Sequence, residues 1–296
     1  MTAEAAVLAA GSAIAPGYEV IAHISRGRTL DVYDVWSEER ACRCIAKTIR
    51  PDRLHDGVAR RRLEAEGRLL RRLTHPHIVR GYERPRSARP VEIMETIAGE
   101  TLAHLIEGAE RLVPVELGHL GLHLCSAIQY LHRNGVLHLD LKPSNVIAEA
   151  GRAKIIDLSV ARRPGRALGG IGTWCYMSPE QVWGGELTAA ADVWGIGVVL
   201  WEAAAGEAAF GGEEDGIRPS GDGELEPEEH PQVRRPAQPI GRRRRLPRPL
   251  AEAIDRALAA TAEDRPSLDA LTDLFQRIPG VVSSRATAPA SAKKRR

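Results

Sequence analysis

Two hydrophobic periods divide this chain. In the first hundred residues the apolar positions fall in short runs rich in β-branched and aromatic residues. These are Tyr18 to Ile24, Val32 to Trp36, Cys42 to Ile49, Gly81 to Glu83 and Val91 to Met94. Such runs predict strands, and together a five-stranded sheet. Between the third and fourth runs, Val58 to Leu73 places Leu63, Leu70 and Leu73 on one stripe, which predicts a single helix. Beyond Gly99 the period turns helical: Val115 to Asn134 is a long apolar-periodic helix with Asn134-Gly135 as its stop signal. Residues 146–156, VIAEAGRAKII, interrupt the helices with two short apolar runs around a turn at Glu149 to Gly151, a hairpin. Residues 1–16, ending at Pro16-Gly17, read as a flexible leader, Gly211 to Pro249 as a loop, and the chain from about residue 280 as disordered.

Composition narrows the class. The 296 residues suffice for one large domain or two lobes. A net charge of +2 gives no global field toward nucleic acid. The arginines at 60–62, 68, 71 and 72 read as a solvated helix face, and Arg242 to Arg245 with the terminal KKRR as a solvated loop and tail. Four cysteines at no zinc-type spacing fit a reducing cytoplasm. The apolar run Val193 to Ala205 contains Glu202 and is too short to cross a bilayer, and no secretory leader is visible. A soluble cytoplasmic protein is expected.

The candidate chemistry lies between His138 and Asp157, HLDLKPSNVIAEAGRAKIID. Asn145 and Asp157 offer oxygen ligands suited to Mg²⁺. Asp140 is placed to orient a hydroxyl nucleophile or take its proton, and Lys142 to put positive charge beside a transferring phosphoryl group. This stretch resembles the catalytic loop and metal-binding aspartate of the eukaryotic-like protein kinases, most closely the bacterial serine/threonine kinases. HPHIV at 75–79, GTWCYMSPEQ at 172–181, ADVWGIGVVLWE at 191–202 and DRPSLDAL at 264–271 carry the resemblance through most of the chain.

The resemblance implies a two-lobed α+β fold. The smaller lobe (17–94) would be an antiparallel sheet with one helix, joined by a hinge (95–98) to a mainly helical lobe (99–278), with residues 279–296 a disordered basic tail. It implies ATP and Mg²⁺ as cofactors and protein Ser or Thr hydroxyls as acceptors, because Lys142 in LKPSN and Thr173 match the Ser/Thr branch. Lys47 would bind the α- and β-phosphates and pair with Glu66. Asp140 and Lys142 would act at the transferred group, and Asn145 and Asp157 would hold the metal. Ile24, Gly27, Val32, Ile45, Met94 and Ile147 would line the nucleotide pocket, with the backbone of Glu95 and Ile97 on the adenine edge. Asp192 would hold the catalytic loop, and Arg265 would pair with Glu180.

Several positions depart from the family pattern. Only Gly27 remains of the three glycines in the nucleotide loop, with Ser25 and Leu30 at the other two positions. His-Arg-Asp becomes His138-Leu139-Asp140, and Asp-Phe-Gly becomes Asp157-Leu158-Ser159. Ile45 stands at a small-residue position and should narrow the adenine pocket. Gly81 replaces an apolar side chain, leaving space to be filled. From Val160 to Gly172 no Ser, Thr or Tyr is present, so activity should not depend on phosphate there, and Leu168 and Ile171 are expected to hold the segment by packing. The alternative to an enzyme is a pseudokinase, a nucleotide-binding or scaffold module on the same fold.

Overall fold

The computed structural model describes residues 6–108, 111–210 and 226–281. The first lobe is a six-stranded antiparallel sheet, one strand more than expected. Its strands are β1 (Ala13–Ala15), β2 (Tyr18–Arg26), β3 (Leu30–Ser37), β4 (Cys42–Ile49), β5 (Gly81–Glu83) and β6 (Val91–Glu95), in the order β1-β2-β3-β4-β6-β5. The extra strand corrects the flexible leader. Period-two alternation gives the sheet a second apolar face, made by Tyr33, Val35, Cys44, Ala46, Val91 and Ile93, which needs a cover. Residues 8–15 supply it: Leu8 and Ile14 pack on that cluster, the Leu8 amide donates to the Tyr33 hydroxyl at 3.1 Å, and β1 pairs with β2.

The opposite face carries the charged residues. Register sets Val32 beside Lys47, and Lys47 beside Glu92, with Ile45 beside Met94. Helix α1 (Gly57–Arg72) lies over this face. Asp56 caps it, accepting from the Val58 and Ala59 amides at 2.9 Å. Close approach is needed at two glycines. A Cβ on Gly67 would collide with the buried Glu92 carboxylate, and one on Gly81 would fall 2.8 Å from Leu70 Cβ. The space expected at Gly81 is thus filled, by α1 settling onto the strand. Gly81→Leu is expected to overpack this contact and cost about 1–3 kcal/mol in a denaturant titration. An unchanged or raised midpoint would show that a cavity is present after all.

The second lobe begins with β7 (Glu100–Thr101) and α2 (Leu102–Glu107), followed by α3 (Pro114–Arg133). Strands β8 (Val146–Glu149) and β9 (Arg152–Ile155) form the expected hairpin, its turn made by Ala150 at φ 47° and Gly151 at φ 76°. Strand β10 (Gly165–Ala167) precedes α4 (Pro179–Trp183), β11 (Gly185–Leu187) and α5 (Ala189–Ala205). Helix α5 is apolar on every side and is buried from Ala191 to Ala205, so it forms the axis of this lobe. Around it stand α6 (Pro231–Arg234), α7 (Arg248–Ala257) and α8 (Leu268–Gln276). The expected loop at 211–249 lies outside the described residues up to 225. Beyond that point it carries short turns and α6. Arg244, expected to be solvated, instead donates to the carbonyls of Leu112 at 2.7 Å and Ala204 at 3.2 Å. The expected disordered tail begins later than residue 279: Val281 is buried in the core and its carbonyl pairs with His119 Nε2 at 2.8 Å, and the tail from 282 onward lies outside the described residues. No helix among the described residues is long and apolar enough to cross a membrane.

Candidate active site

The two lobes meet at a buried charge cluster. Lys47 Nζ lies 2.9 Å from both Glu66 carboxylate oxygens and 3.3 Å from Asp157 Oδ2. Glu66 is 1% exposed and also accepts from the Leu158 amide at 3.2 Å, so α1 and the 157–159 segment are tied by one side chain. Burial would lower the Lys47 pKa, but the carboxylates of Asp157 and Glu66 outweigh it and raise it. Burial raises Glu66 to about 7, against the pull of Lys47 and with the help of Asp157. Burial alone would also raise Asp157, but the Lys47 ammonium and hydrogen bonding from Ser159 hold it at about 2. Asp157 is therefore a full anion in the cleft.

The catalytic loop is organised by α5. Asp192 accepts from the His138 amide at 2.9 Å, the Leu139 amide at 2.7 Å and His132 Nε2 at 2.7 Å. These bonds stabilise Leu139 at φ 66°, an uncommon left-handed conformation for a γ-branched residue. Asp140 then faces residues 160–181, which resemble the activation segment of a kinase, and its Oδ1 accepts from the Thr173 amide at 2.8 Å. Asn145 Nδ2 donates to the Asp140 carbonyl at 2.9 Å and to Oδ2 at 3.2 Å. The Asn145 carbonyl in turn accepts from the Ile156 amide at 3.0 Å, which ties Asn145 to the chain just before Asp157. Burial raises the Asp140 pKa, opposed by the Lys142 charge and the Thr173 bond.

The pocket residues are placed less uniformly. Ile45 and Ile97 pack against the core that contains Met94, Leu70 and Leu158. Ile147 pairs with Thr101 and Lys154 in the small sheet. Ile24 is 54% exposed at the outer edge. Gly27 closes the β2–β3 hairpin through its amide to the Leu30 carbonyl at 2.8 Å, and the Arg26 guanidinium clamps buried Asp31 at 2.7 and 2.9 Å. The Glu95 amide donates to the Arg80 carbonyl at 2.9 Å.

The site fits the groups that the sequence implies. Asn145 uses its Nδ2 on Asp140, so its Oδ1 remains as a hard oxygen ligand beside the anionic Asp157. Among the described residues no three His, Cys, Asp or Glu side chains form a metal site of their own, so phosphate oxygens and water would complete the shell. On the hinge, the buried Thr96 Oγ1 has no partner.

The activation segment is pinned by apolar contact. Leu139, only 3% exposed, forms a cluster with Leu137, Leu187 and Ala191, against which Val160, Ala167 and Ile171 pack. Ile171 behaves as expected. Leu168 does not: it is 89% exposed, and Ala167 takes its place because β10–β11 pairing turns that residue inward. Gln181 is a missed organiser, its Nε2 donating to the carbonyls of Leu139 and Ile171 at 2.7 Å each. Its only sequence signal is a polar residue inside SPEQ. Arg265 grips Glu180 at 2.6 and 2.8 Å and lies over the Trp194 ring.

Residues 18–275 match the family description of the protein kinase domain. A probable serine/threonine-protein kinase of Streptomyces coelicolor is 30% identical over 198 residues, 62% of this chain and 29% of that protein. Serine/threonine-protein kinase PknB of Mycobacterium tuberculosis is 32% identical over 180 residues, 56% of this chain and 29% of that protein. PknD of the same species is 33% identical over 210 residues, 68% of this chain and 31% of its own length. The chain thus spans about three tenths of the length of these relatives. With a kinase match over nearly its whole length and bacterial relatives of this kind, the chain belongs to the protein kinase family, in its bacterial serine/threonine branch.

Proposed function

We propose that this chain transfers the γ-phosphoryl group of ATP to Ser or Thr hydroxyls of other proteins, without needing phosphate in its activation segment. The observation that carries this reading is Lys47 bonded at once to Glu66 and Asp157. That arrangement requires α1, β4 and the 157–159 segment to be in register together. Lys47 neutralises α- and β-phosphate oxygens while Glu66 fixes its direction. The Glu95 carbonyl and Ile97 backbone orient adenine, and Val32, Ile45, Met94 and Ile147 flank the ring, with Ile24 and Gly27 at the rim. Asp140 orients the acceptor hydroxyl, and its raised pKa suits it to accept the proton. Lys142 stabilises charge on the transferred group. Mg²⁺, held by Asn145 and Asp157, would supply Lewis-acid neutralisation of the phosphate oxygens. The free cysteines are consistent with work in the cytoplasm. Labelled ATP with Mg²⁺ and a generic Ser/Thr substrate tests the reading. Wild type should transfer label and Asp140→Asn should not, whereas equal transfer by both would exclude the assignment.

The pH dependence follows from Glu66. Protonating it as pH falls through about 7 removes its ionic hold on Lys47. The wild-type kcat/KM is expected to fall between pH 8 and 6, while Glu66→Gln, slower throughout, should be flat across that range. Stability has the opposite slope. Between the ordinary carboxyl value of 4.5 and about 7 the folded state binds the extra proton, so unfolding free energy decreases as pH rises. Denaturant titrations at pH 5.5 and 8 should show this slope in wild type and not in Glu66→Gln.

A further inference from the structure

Between β5 and β6 the chain reads Arg84-Pro85-Arg86-Ser87-Ala88-Arg89-Pro90. This loop and the first turn of α1 line an open polar pocket of about 360 Å³ whose walls include Arg60, Arg84, Arg86, Arg89 and Ser87. Positive charge there is under-compensated. Arg84 pairs with Glu64 at 2.9 Å, while Arg60 acts on that same carboxylate only through space. Glu92 is taken by Arg71 and lies 4.0 Å from Arg84. Arg86 and Arg89 form no ion pair among the described residues. The loop is held in place: the Pro90 carbonyl accepts from Thr48 Oγ1 at 2.8 Å, and the half-buried Ser87 hydroxyl donates to the Arg89 carbonyl.

We propose that Ser87 is a phosphorylation site whose phosphate is received by Arg60, Arg84, Arg86 and Arg89, cross-linking the β5–β6 loop to α1. A phosphoserine brings a charge of about −1.5 to −2 and three strong acceptor oxygens, which guanidinium forks match in geometry. Residues 160–172 carry no hydroxyl side chain, and Leu139 stands where the family pattern has an arginine, so the phosphate chemistry missing there is present in the other lobe. In the transfer, the Ser87 Oγ–H bond breaks and an Oγ–Pγ bond forms. The bond from Pγ to the bridging oxygen of ATP breaks, ADP leaves, and the proton passes to the catalytic aspartate. Ser87 and Asp140 lie in different lobes, so the aspartate belongs to a second copy of the chain. This step rests on the kinase reading. Glu66 already grips Lys47 without the phosphate, so the modification stiffens α1 rather than switching the site on.

Two arms test the proposal on the full chain. Phosphate-free protein is incubated with MgATP and a generic Ser/Thr substrate, and the phosphates are mapped by mass spectrometry. Phosphate on Ser87 that is absent from a Ser87→Ala control is expected. Label on the substrate with none on Ser87 would overturn the modification. In the second arm phosphoserine is encoded genetically at position 87, bypassing the protein's own activity. Tm should rise by about 3 °C or more, and hydrogen exchange should slow at 57–62 and 84–90. Arg60→Ala/Arg86→Ala should abolish both effects. An unchanged Tm and unchanged exchange would overturn the receptor, even if the first arm shows no transfer at all and the kinase reading fails instead.

Discussion

Asp157→Ala is expected to reduce Mg²⁺-dependent phosphoryl transfer by about 10³-fold or more, since losing a charge-stabilising group at the reacting centre typically costs 10²–10³ and here a metal ligand goes as well. The fold should survive. Glu66 still holds both hydrogen bonds to Lys47 and the one from Leu158 in the absence of Asp157, so a loss of only about 1–2 kcal/mol is expected, in the range for one hydrogen-bonded group. A second signature separates chemistry from packing. The Asp157 carboxylate is one of the causes that raise Glu66, so its removal should shift the Glu66 titration downward. A pH titration of Glu66 by NMR in the two proteins measures that shift. Activity persisting in Asp157→Ala would show that another group holds the metal.

Leu139→Arg restores the residue usual in the family and is expected to damage this protein. Leu139 is buried among Leu137, Leu187 and Ala191, and the activation segment leans on it through Val160, Ala167 and Ile171. An arginine placed there meets no carboxylate in that cluster, and an uncompensated buried charge costs roughly 3–5 kcal/mol. Denaturant unfolding should show a loss of that order, and limited proteolysis should open the chain between residues 160 and 172. An unchanged midpoint together with new dependence on phosphate would show that the apolar cluster does not anchor the segment.

The candidate site is readable in the sequence because phosphoryl transfer demands particular residue types in a fixed order. Lys47, Glu66, Asp140, Asn145 and Asp157 stand far apart in the chain, yet the structure brings Lys47, Glu66 and Asp157 into one contact group and Asp140 with Asn145 into another. What escaped was decided by tertiary packing. Nothing in Ala13 to Ala15 marks a strand until the far face of the sheet is seen to need cover. At Gly81 a missing side chain signals space to be filled but not what fills it, and α1 does so by lying closer to the strand. Leu168 looked like an anchor by hydrophobicity alone. Whether a residue in a two-stranded pairing faces in or out depends on register, and register is set by residues 185–187.

If packing alone assembles the active site, removing every phosphate should leave its rate unchanged. The Ser87→Ala protein is treated with a broad phosphatase, its freedom from phosphate is confirmed by mass spectrometry, and initial rates with MgATP and a generic Ser/Thr substrate are compared before and after. The two rates should agree within about twofold, because Leu139, Ile171 and Gln181 hold the segment in either case. A drop of about tenfold or more, reversed by rephosphorylation at Ser159 or Thr173, would show that phosphate rather than packing orders the segment.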